Sequence, residues 1–150
     1  MTGPDQDRLH LRRVIDLAES CPPSRTAFSV GALVVDTEGR VLATGYSRET
    51  DPHDHAEEAA LAKLDVDDVR PRGATIYSSL EPCSMRASRP RSCTELIRHL
   101  YPRIVFAWRE PALFVDCEGA ERLRIAGREV VELPDLAPLA RRTNAHLLGF

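Results

Sequence analysis

The sequence predicts one α/β domain in which a sheet of five strands is layered with helices. Short β-branched runs alternate with runs of strong helix formers, and the 150 residues contain neither a linker nor an internal repeat. A chain of this length can bury a hydrophobic core without disulfides or a structural metal. We therefore expect a single domain over residues 1–150, in which a bound metal is free to be catalytic.

The first third of the chain predicts a helix followed by a β-hairpin. Apolar residues recur at helical spacing after Asp7, which can cap a helix, and Cys21-Pro22-Pro23 ends it. Runs 30–36 and 41–46 are apolar and β-branched, and the polar turn between them contains Gly39, as is typical of a hairpin. The first run is apolar on both faces, so we expect it to lie inside the sheet.

The middle of the chain predicts a helix, a third strand and the starts of two further helices. Strong helix formers occupy residues 55–64, with Asp54 as the expected N-cap. Residues 73–80 form the third predicted strand, and Pro82 suits the first position of a new helix. A basic loop then leads to a short helix that begins near Cys93.

The last third predicts a fourth strand, a helix, a fifth strand and a final helix. The strands are residues 103–108 and 129–133, and the helix between them, 119–126, is closed by Gly127. Because a helix joins these two strands, they are expected to run parallel. Pro134 separates the fifth strand from a single last helix with apolar residues at helical spacing.

Composition and charge argue against several classes of function. Charged residues make up 29% of the chain and the formal net charge is -3, so no global positive field attracts a nucleic acid. No apolar run approaches the length of a membrane span, and the acidic N-terminus lacks the features of a signal peptide. We therefore expect a cytoplasmic protein with reduced thiols and a small-molecule substrate.

The candidate zinc ligands are His55, Cys83 and Cys93. One imidazole and two thiolates leave the fourth position of a tetrahedral zinc ion open for water, as in catalytic sites. His55-Ala56-Glu57 and Pro82-Cys83 match the H-x-E and P-C signature of zinc nucleobase deaminases, in which the glutamate is not a ligand. The other two of the four cysteines lack ligand-like neighbours. One zinc ion per chain is therefore expected.

Glu57 is the candidate catalytic residue. In the expected reaction zinc lowers the pKa of its bound water, Glu57 takes a proton from that water, and the resulting hydroxide attacks the ring carbon that bears an amino group. Glu57 then returns protons to the ring nitrogen and to the departing ammonia. Each residue alone has a structural alternative: Glu57, three residues after Asp54, could complete a capping box, and the cysteines could be buried apolar residues. Their joint occurrence in this order favours the zinc site.

These motifs resemble the cytidine and deoxycytidylate deaminase superfamily, and most closely the deaminase domain of the bifunctional riboflavin-biosynthesis deaminase/reductase. The resemblance rests on His55-Ala56-Glu57, on Leu80-Glu81-Pro82-Cys83-Ser84 and on an arginine- and proline-containing loop that ends at Cys93. The long spacing between the cysteines is specific, because most of the superfamily uses C-x-x-C. The resemblance implies a three-layer α/β/α domain with a five-stranded mixed sheet, a homo-oligomer, and a riboflavin-pathway aminopyrimidine nucleotide or a relative as substrate.

Two departures from the riboflavin branch bear on the substrate. Its Asn-Pro-Ser-Val-Gly run, whose Asn contacts substrate, is replaced by Ala27-Phe28-Ser29-Val30-Gly31, a segment that resembles the free-nucleoside cytidine deaminases. Its His-His-Gly-Arg run is replaced by Met85-Arg86-Ala87-Ser88. The candidates for substrate binding are aromatic rings that can stack on a base, arginines that suit a phosphate, and polar residues at the end of the third strand. The aromatic candidates are Phe28 and Trp108, the arginines are Arg86, Arg89 and Arg91, and the polar residues are Ser79 and Glu81.

Three other functions remain open. One is a cytidine or deoxycytidylate deaminase, and another is a deaminase of bases within RNA or DNA, against which the acidic net charge argues. The non-enzymatic alternative is a zinc-stabilised binding module. Glu57 argues against that alternative, because structural zinc prefers a fourth protein ligand to an acid beside an open position. His53 is either a second pocket histidine or an exposed loop residue.

Overall fold

A mixed sheet of five strands forms the centre of the computed structural model, which describes residues 3–65, 68, 72–82, 101–109 and 119–148. The strands are β1 (Gly31–Val35), β2 (Val41–Tyr46), β3 (Thr75–Leu80), β4 (Arg103–Trp108) and β5 (Glu129–Glu132). Their order is β2-β1-β3-β4-β5. β1 pairs antiparallel with β2 and β3, whereas β4 runs parallel to both β3 and β5. The predicted parallel pairing of strands four and five is thus confirmed.

The described helices lie before, between and after these strands. None of them is long and apolar enough to cross a membrane. They are α1 (Pro4–Ala18), α2 (Ala56–Leu61), α3 (Gly119–Ile125), α4 (Ala137–Thr143) and α5 (Ala145–Leu148), with a 3-10 turn at Pro134–Leu136 before α4. The predicted helix starts near Pro82 and Cys93 lie outside the described residues.

Two glycines show that α1 and α2 cover opposite faces of the sheet. A Cβ atom added at Gly31 would lie 2.9 Å from the backbone carbon of Val14 in α1. A Cβ atom added at Gly45 would lie 3.0 Å from the backbone carbon of Ala59 in α2. Gly45 pairs with Ala32, the neighbour of Gly31, so the two glycines face opposite ways. The sheet is therefore the middle of three layers, as expected.

The core lies on both faces of the inner strands. All residues of β1 and β3 are buried, which confirms the interior position predicted for the first strand. β2 lies at an edge of the sheet and alternates between buried and more exposed residues. This difference follows from the sequence, because β1 is continuously apolar whereas β2 alternates.

Asp7 does not cap the first helix, contrary to expectation. α1 begins at Pro4 with Gly3 as its N-cap, and Asp7 is buried at 3% exposure. Its carboxylate accepts hydrogen bonds from Arg103 Nη1 and Nη2, at 2.8 and 2.6 Å, and from the Tyr77 hydroxyl at 2.7 Å. Burial alone raises the pKa of Asp7, but the hydrogen bonds from Arg103 and Tyr77 outweigh it and the pKa is lowered. Asp7 therefore ties α1 to β3 and β4.

The single last helix of the prediction is instead two helices that meet at Asn144. α4 ends there because Asn144 has left the helical conformation, with φ -108° and ψ 17°. The Asn144 side chain hydrogen-bonds to the backbone of Ser29, two residues before β1. This long-range interaction accounts for the break, which no local sequence pattern indicates.

Candidate active site

The candidate site residues that the structure describes lie at the edge of the sheet where strands end, which is not the lateral edge formed by β2. Leu80 pairs with Trp108 where β3 and β4 end, and Gly31 pairs with Tyr46 where β1 begins and β2 ends. The ends of three strands and the segment before β1 therefore meet at this edge. The close approach of Gly45, near the end of β2, to the backbone of α2 brings the first turn of α2 to the same place.

His55 is the N-cap of α2, a position that the sequence had assigned to Asp54. The His55 N–H donates to Glu58 Oε1 at 3.0 Å. Asp54 instead accepts a hydrogen bond from the Thr50 hydroxyl at 2.9 Å, within the preceding loop. Because Glu58 fills the capping role, the structural alternative for Glu57 as the capping residue is wrong.

Glu57 lies in the first turn of α2 and is only 3% exposed. Ser78, on β3, is fully buried and its hydroxyl donates to Glu57 Oε1 at 2.7 Å. A buried carboxylate needs hydrogen-bond donors to replace water, and this donor also fixes the orientation of the carboxylate. The structure thus holds Glu57 in one geometry at the edge where the strands end.

Ser78 was missed by sequence reasoning, although the pairing of the strands explains its role. Ala32 pairs with both Gly45 and Ser78, so these residues share the face of the sheet that α2 covers. The signal was a polar residue at a buried strand position on that face. Recognising it requires knowing which face α2 covers, which the sequence pattern alone does not state.

Phe28 and Trp108, the two candidate stacking residues, contact each other. Their ring centroids are 5.5 Å apart and the rings meet edge to face at 74°. Both are largely buried, with 6% and 7% exposure. Trp108 ends β4 and Phe28 precedes β1, so the pair forms an aromatic wall at the same sheet edge as Glu57.

Ser79 and Glu81 connect elements around this edge. The Ser79 hydroxyl oxygen accepts a hydrogen bond from the Gly31 N–H at 3.1 Å. The Glu81 N–H donates to the Trp108 carbonyl at 2.8 Å, and Glu81 Oε2 accepts from the Ala120 N–H at 2.9 Å. Glu81 therefore joins the ends of β3 and β4 to the start of α3. A direct contact of either side chain with substrate stays a prediction.

The remaining candidates lie outside the described residues: Cys83 and Cys93 among the ligands, and Arg86, Arg89 and Arg91 among the substrate contacts. The backbone that leads to Cys83 is described as far as Pro82, directly after the buried Glu81. It thus arrives at the edge that holds His55 and Glu57, and the shared metal site stays a prediction. His53 is exposed, as its loop alternative predicted.

The chain is similar to known deaminases in sequence and in fold. Residues 4–108 match the family model described as the cytidine and deoxycytidylate deaminase zinc-binding region. A diaminohydroxyphosphoribosylamino-pyrimidine deaminase of Schizosaccharomyces pombe is 40% identical over 126 residues, covering 82% of this chain and 31% of the relative. The riboflavin biosynthesis protein RibD of Aquifex aeolicus is 37% identical over 102 residues, covering 68% of this chain and 27% of the relative.

A solved structure shows the same fold. The diaminohydroxyphosphoribosylaminopyrimidine deaminase/5-amino-6-(5-phosphoribosylamino)uracil reductase of Thermotoga maritima superposes with a TM-score of 0.79 at 28% identity, covering 96% of this chain and 40% of that one. The chain spans about a third of the length of the curated relatives it matches. The model of the cytidine and deoxycytidylate deaminase zinc-binding region covers well over half of the chain, so the chain belongs to this deaminase family.

Proposed function

We propose that this chain is a zinc-dependent hydrolytic deaminase of a pyrimidine-type nucleoside or nucleotide. The favoured substrate is a riboflavin-pathway aminopyrimidine nucleotide or a relative, in line with the names of the matched relatives. The observation that carries the proposal is a buried glutamate, Glu57, held by Ser78 beside His55 and an aromatic wall. A buried and oriented carboxylate next to a candidate metal ligand is suited to proton transfer.

His55, Cys83 and Cys93 would hold one zinc ion per chain. Of these ligands, His55 is fixed at the start of α2 and the strand that leads to Cys83 ends at the same edge. One imidazole and two thiolates fit a catalytic rather than a structural zinc ion, because they leave a position open. When bound, zinc supplies a polarised water at neutral pH.

Glu57 carries protons in the proposed reaction. Its carboxylate accepts a proton from the attacking water and passes it to the ring nitrogen; it then takes the proton of the hydroxyl formed on the ring carbon and passes it to the amino group, which leaves as ammonia when the carbon–nitrogen bond breaks. Ser78 keeps one oxygen, Oε1, engaged at 2.7 Å and so fixes the direction in which the carboxylate points. The low exposure of both residues keeps bulk water from competing for these protons.

The substrate ring is proposed to stack on the aromatic wall of Phe28 and Trp108. The rings meet edge to face and are largely buried, so only the small exposed part of each would be available to a flat substrate ring. We propose that Ser79 and Glu81 contact the substrate's polar edge, and that a phosphate, where present, binds Arg86, Arg89 or Arg91. Ser79 and Glu81 are proposed because they lie at and just after the end of β3, and the three arginines are proposed from the sequence alone.

A cytidine or deoxycytidylate deaminase is the second candidate. The feature that favours it is Phe28 in the segment before β1, where the free-nucleoside deaminases carry a similar run. A panel of cytidine, deoxycytidine, their monophosphates and the riboflavin-pathway aminopyrimidine nucleotide, assayed for ammonia release, separates the candidates. Ammonia release from none of these compounds by the zinc-loaded protein would contradict the proposal.

Glu57→Gln is the direct test of the mechanism, with Glu58→Gln as its matched control. Both variants replace adjacent carboxylates in the first turn of α2 by the same amide. Glu57→Gln is expected to lower kcat by about a hundredfold or more, because the amide cannot accept the proton. Glu58→Gln is expected to keep activity, since glutamine also serves in a capping box. Zinc content should stay at one ion per chain in both variants, and equal activity in both would contradict the role of Glu57.

We also propose that residues 1–150 form one domain, that the chain assembles into a homo-oligomer, and that it acts in the cytoplasm, where thiol ligands stay reduced. The acidic net charge of -3 argues against nucleic acid as a partner. Light scattering coupled to gel filtration measures the assembly, and a monomer at the assay concentration would contradict the proposed homo-oligomer.

A further inference from the structure

Two side chains from distant parts of the chain hold the backbone beside Phe28. We propose that Arg48 and Asn144 form a clamp that positions Phe28 in the substrate-binding wall. Both are positioning residues: they act through the backbone and do not touch the substrate. The proposal rests on the proposed function, in which Phe28 stacks on the substrate ring.

Asn144 supplies one half of the clamp. Its side-chain Oδ1 accepts from the Ser29 N–H at 2.6 Å, and its Nδ2 donates to the Ser29 carbonyl at 3.0 Å. Nδ2 also donates to the Ala140 carbonyl at 3.2 Å, so both amide hydrogens are used. Asn144 is only 2% exposed. A buried amide with both of its hydrogens bonded to backbone serves the fold of this segment and has no donor left for a substrate.

Arg48 supplies the other half. Its Nη1 donates to the Phe28 carbonyl at 3.1 Å and its Nη2 to the Ser29 hydroxyl oxygen at 2.9 Å. Nε and Nη2 also donate to the Pro22 carbonyl, at 3.1 and 2.8 Å. Arg48 is the only non-glycine residue with positive φ in the described part of the chain, at 60°. This backbone conformation is unfavourable for arginine, and the four hydrogen bonds of the guanidinium hold it in place.

Arg48 and Asn144 hydrogen-bond to the two polar groups of a single peptide unit. The Phe28 carbonyl, bound by Arg48, and the Ser29 N–H, bound by Asn144, belong to the same planar peptide unit. With both of its polar groups bonded, this peptide plane cannot rotate without breaking two hydrogen bonds. Its orientation fixes the direction of the Phe28 backbone and therefore the place of the ring against Trp108.

The fluorescence of Trp108 reports directly on this arrangement, because Trp108 is the only tryptophan in the sequence. If the clamp holds Phe28 against Trp108, Asn144→Ala will shift the Trp108 emission to longer wavelength and increase its quenching by acrylamide. Arg48→Asn should give the same change, since asparagine tolerates positive φ but cannot reach these acceptors. The two variants break the clamp from opposite ends, so the test does not depend on the folding of either one alone.

Kinetics separate positioning from general stability. Both clamp variants are expected to raise KM roughly tenfold, equivalent to about 1.4 kcal/mol, with little change in kcat, because stacking is lost while Glu57 is untouched. The matched control is Ile104→Val, a buried change four residues before Trp108 on β4, at the other end of the strand. It should lower the urea midpoint but leave the emission of Trp108 and KM unchanged.

The outcomes distinguish the clamp from the proposed function. Clamp variants that lower the urea midpoint as Ile104→Val does, with wild-type emission and KM, would show a purely structural role and overturn the clamp. If the wild-type protein deaminates no compound of the panel, the proposed function fails, and the emission of Trp108 alone decides on the positioning of Phe28. Unchanged emission in both clamp variants overturns the inference whatever the activity.

Discussion

Replacing Gly45 with alanine tests whether the close packing of β2 against α2 sets the position of the site. The added Cβ would lie 3.0 Å from the backbone carbon of Ala59, and closer still to the Ala56 oxygen and the Ala60 nitrogen. Ordinary van der Waals contact begins at 3.4 Å. These atoms are all backbone, so no side chain can rotate to make room. α2 must therefore move away from the sheet, by about 1 Å to clear the nearest atoms.

The substitution is expected to impair both stability and catalysis. Overpacking of this kind costs about 1–3 kcal/mol of unfolding free energy. His55 and Glu57 lie at the start of α2 and move with it, while Ser78 stays with the sheet. A displacement of about 1 Å in a catalytic group can lower the rate about a hundredfold. We therefore expect kcat/KM to fall by about that factor in a protein that still folds.

Urea unfolding and steady-state ammonia release measure the two effects separately. Gly3→Ala is the matched control, because a Cβ added at Gly3 meets nothing within 4 Å. Ile104→Val, on β4 and three strands away from β2 in the sheet, reports what a modest loss of stability alone does to activity. If Gly45→Ala loses stability but keeps the wild-type kcat/KM, the position of α2 does not control the reaction and the reasoning is refuted.

Three further predictions concern buried polar groups. Ser78→Ala removes the hydrogen bond to Glu57 and should lower kcat about ten- to a hundredfold at unchanged zinc content, because hydrogen bonds to charged groups are worth about 1.5–3 kcal/mol; unchanged kcat would contradict this. Asp7→Asn removes one of the two carboxylates that pair with Arg103, the other being the exposed Glu129. It should cost about 1.5–3 kcal/mol in urea unfolding, as for hydrogen bonds to a charged group, and it should lessen the loss of stability at acidic pH. The pKa of Asp7 is lowered in the native state, so its contribution is present above the ordinary value of 3.8 and is lost as the pH falls through the native value. Burial and the nearby Arg13 charge lower the pKa of His10, so stability should begin to fall as the pH drops below 6.5, and His10→Phe should remove that slope in melting temperature against pH.

The strands were predictable because their signals are local. The bounds of β2 and β4 match the prediction residue for residue, and β1 lies inside the sheet as its continuous apolar run indicated. Each strand carries its own pattern of β-branched and apolar residues, bounded by turn residues. The parallel pairing of β4 with β5 followed from the helix between them.

The site was predictable only in part, because several of its contacts join distant positions. The roles of Asp7 and Asn144 depend on partners 96 and 115 residues away, and no local pattern states such a pairing. Asp54 was a good N-cap by residue type, but His55 occupies that position in the fold. Glu57 was found through its motif, whereas its partner Ser78 became recognisable only once the strands had been paired.

The hydrogen bonds between Ser29 and Asn144 also affect the order in which the protein can mature during synthesis. The two residues are 115 positions apart, so a ribosome adding roughly 5–20 residues per second needs about 6–23 s to make the second after the first. His55 and Glu57 are synthesised early in that interval. A nascent chain thus contains Glu57, the proposed proton carrier, well before Asn144 can bind the segment around Phe28, and the proposed substrate-binding wall is completed among the last steps of folding.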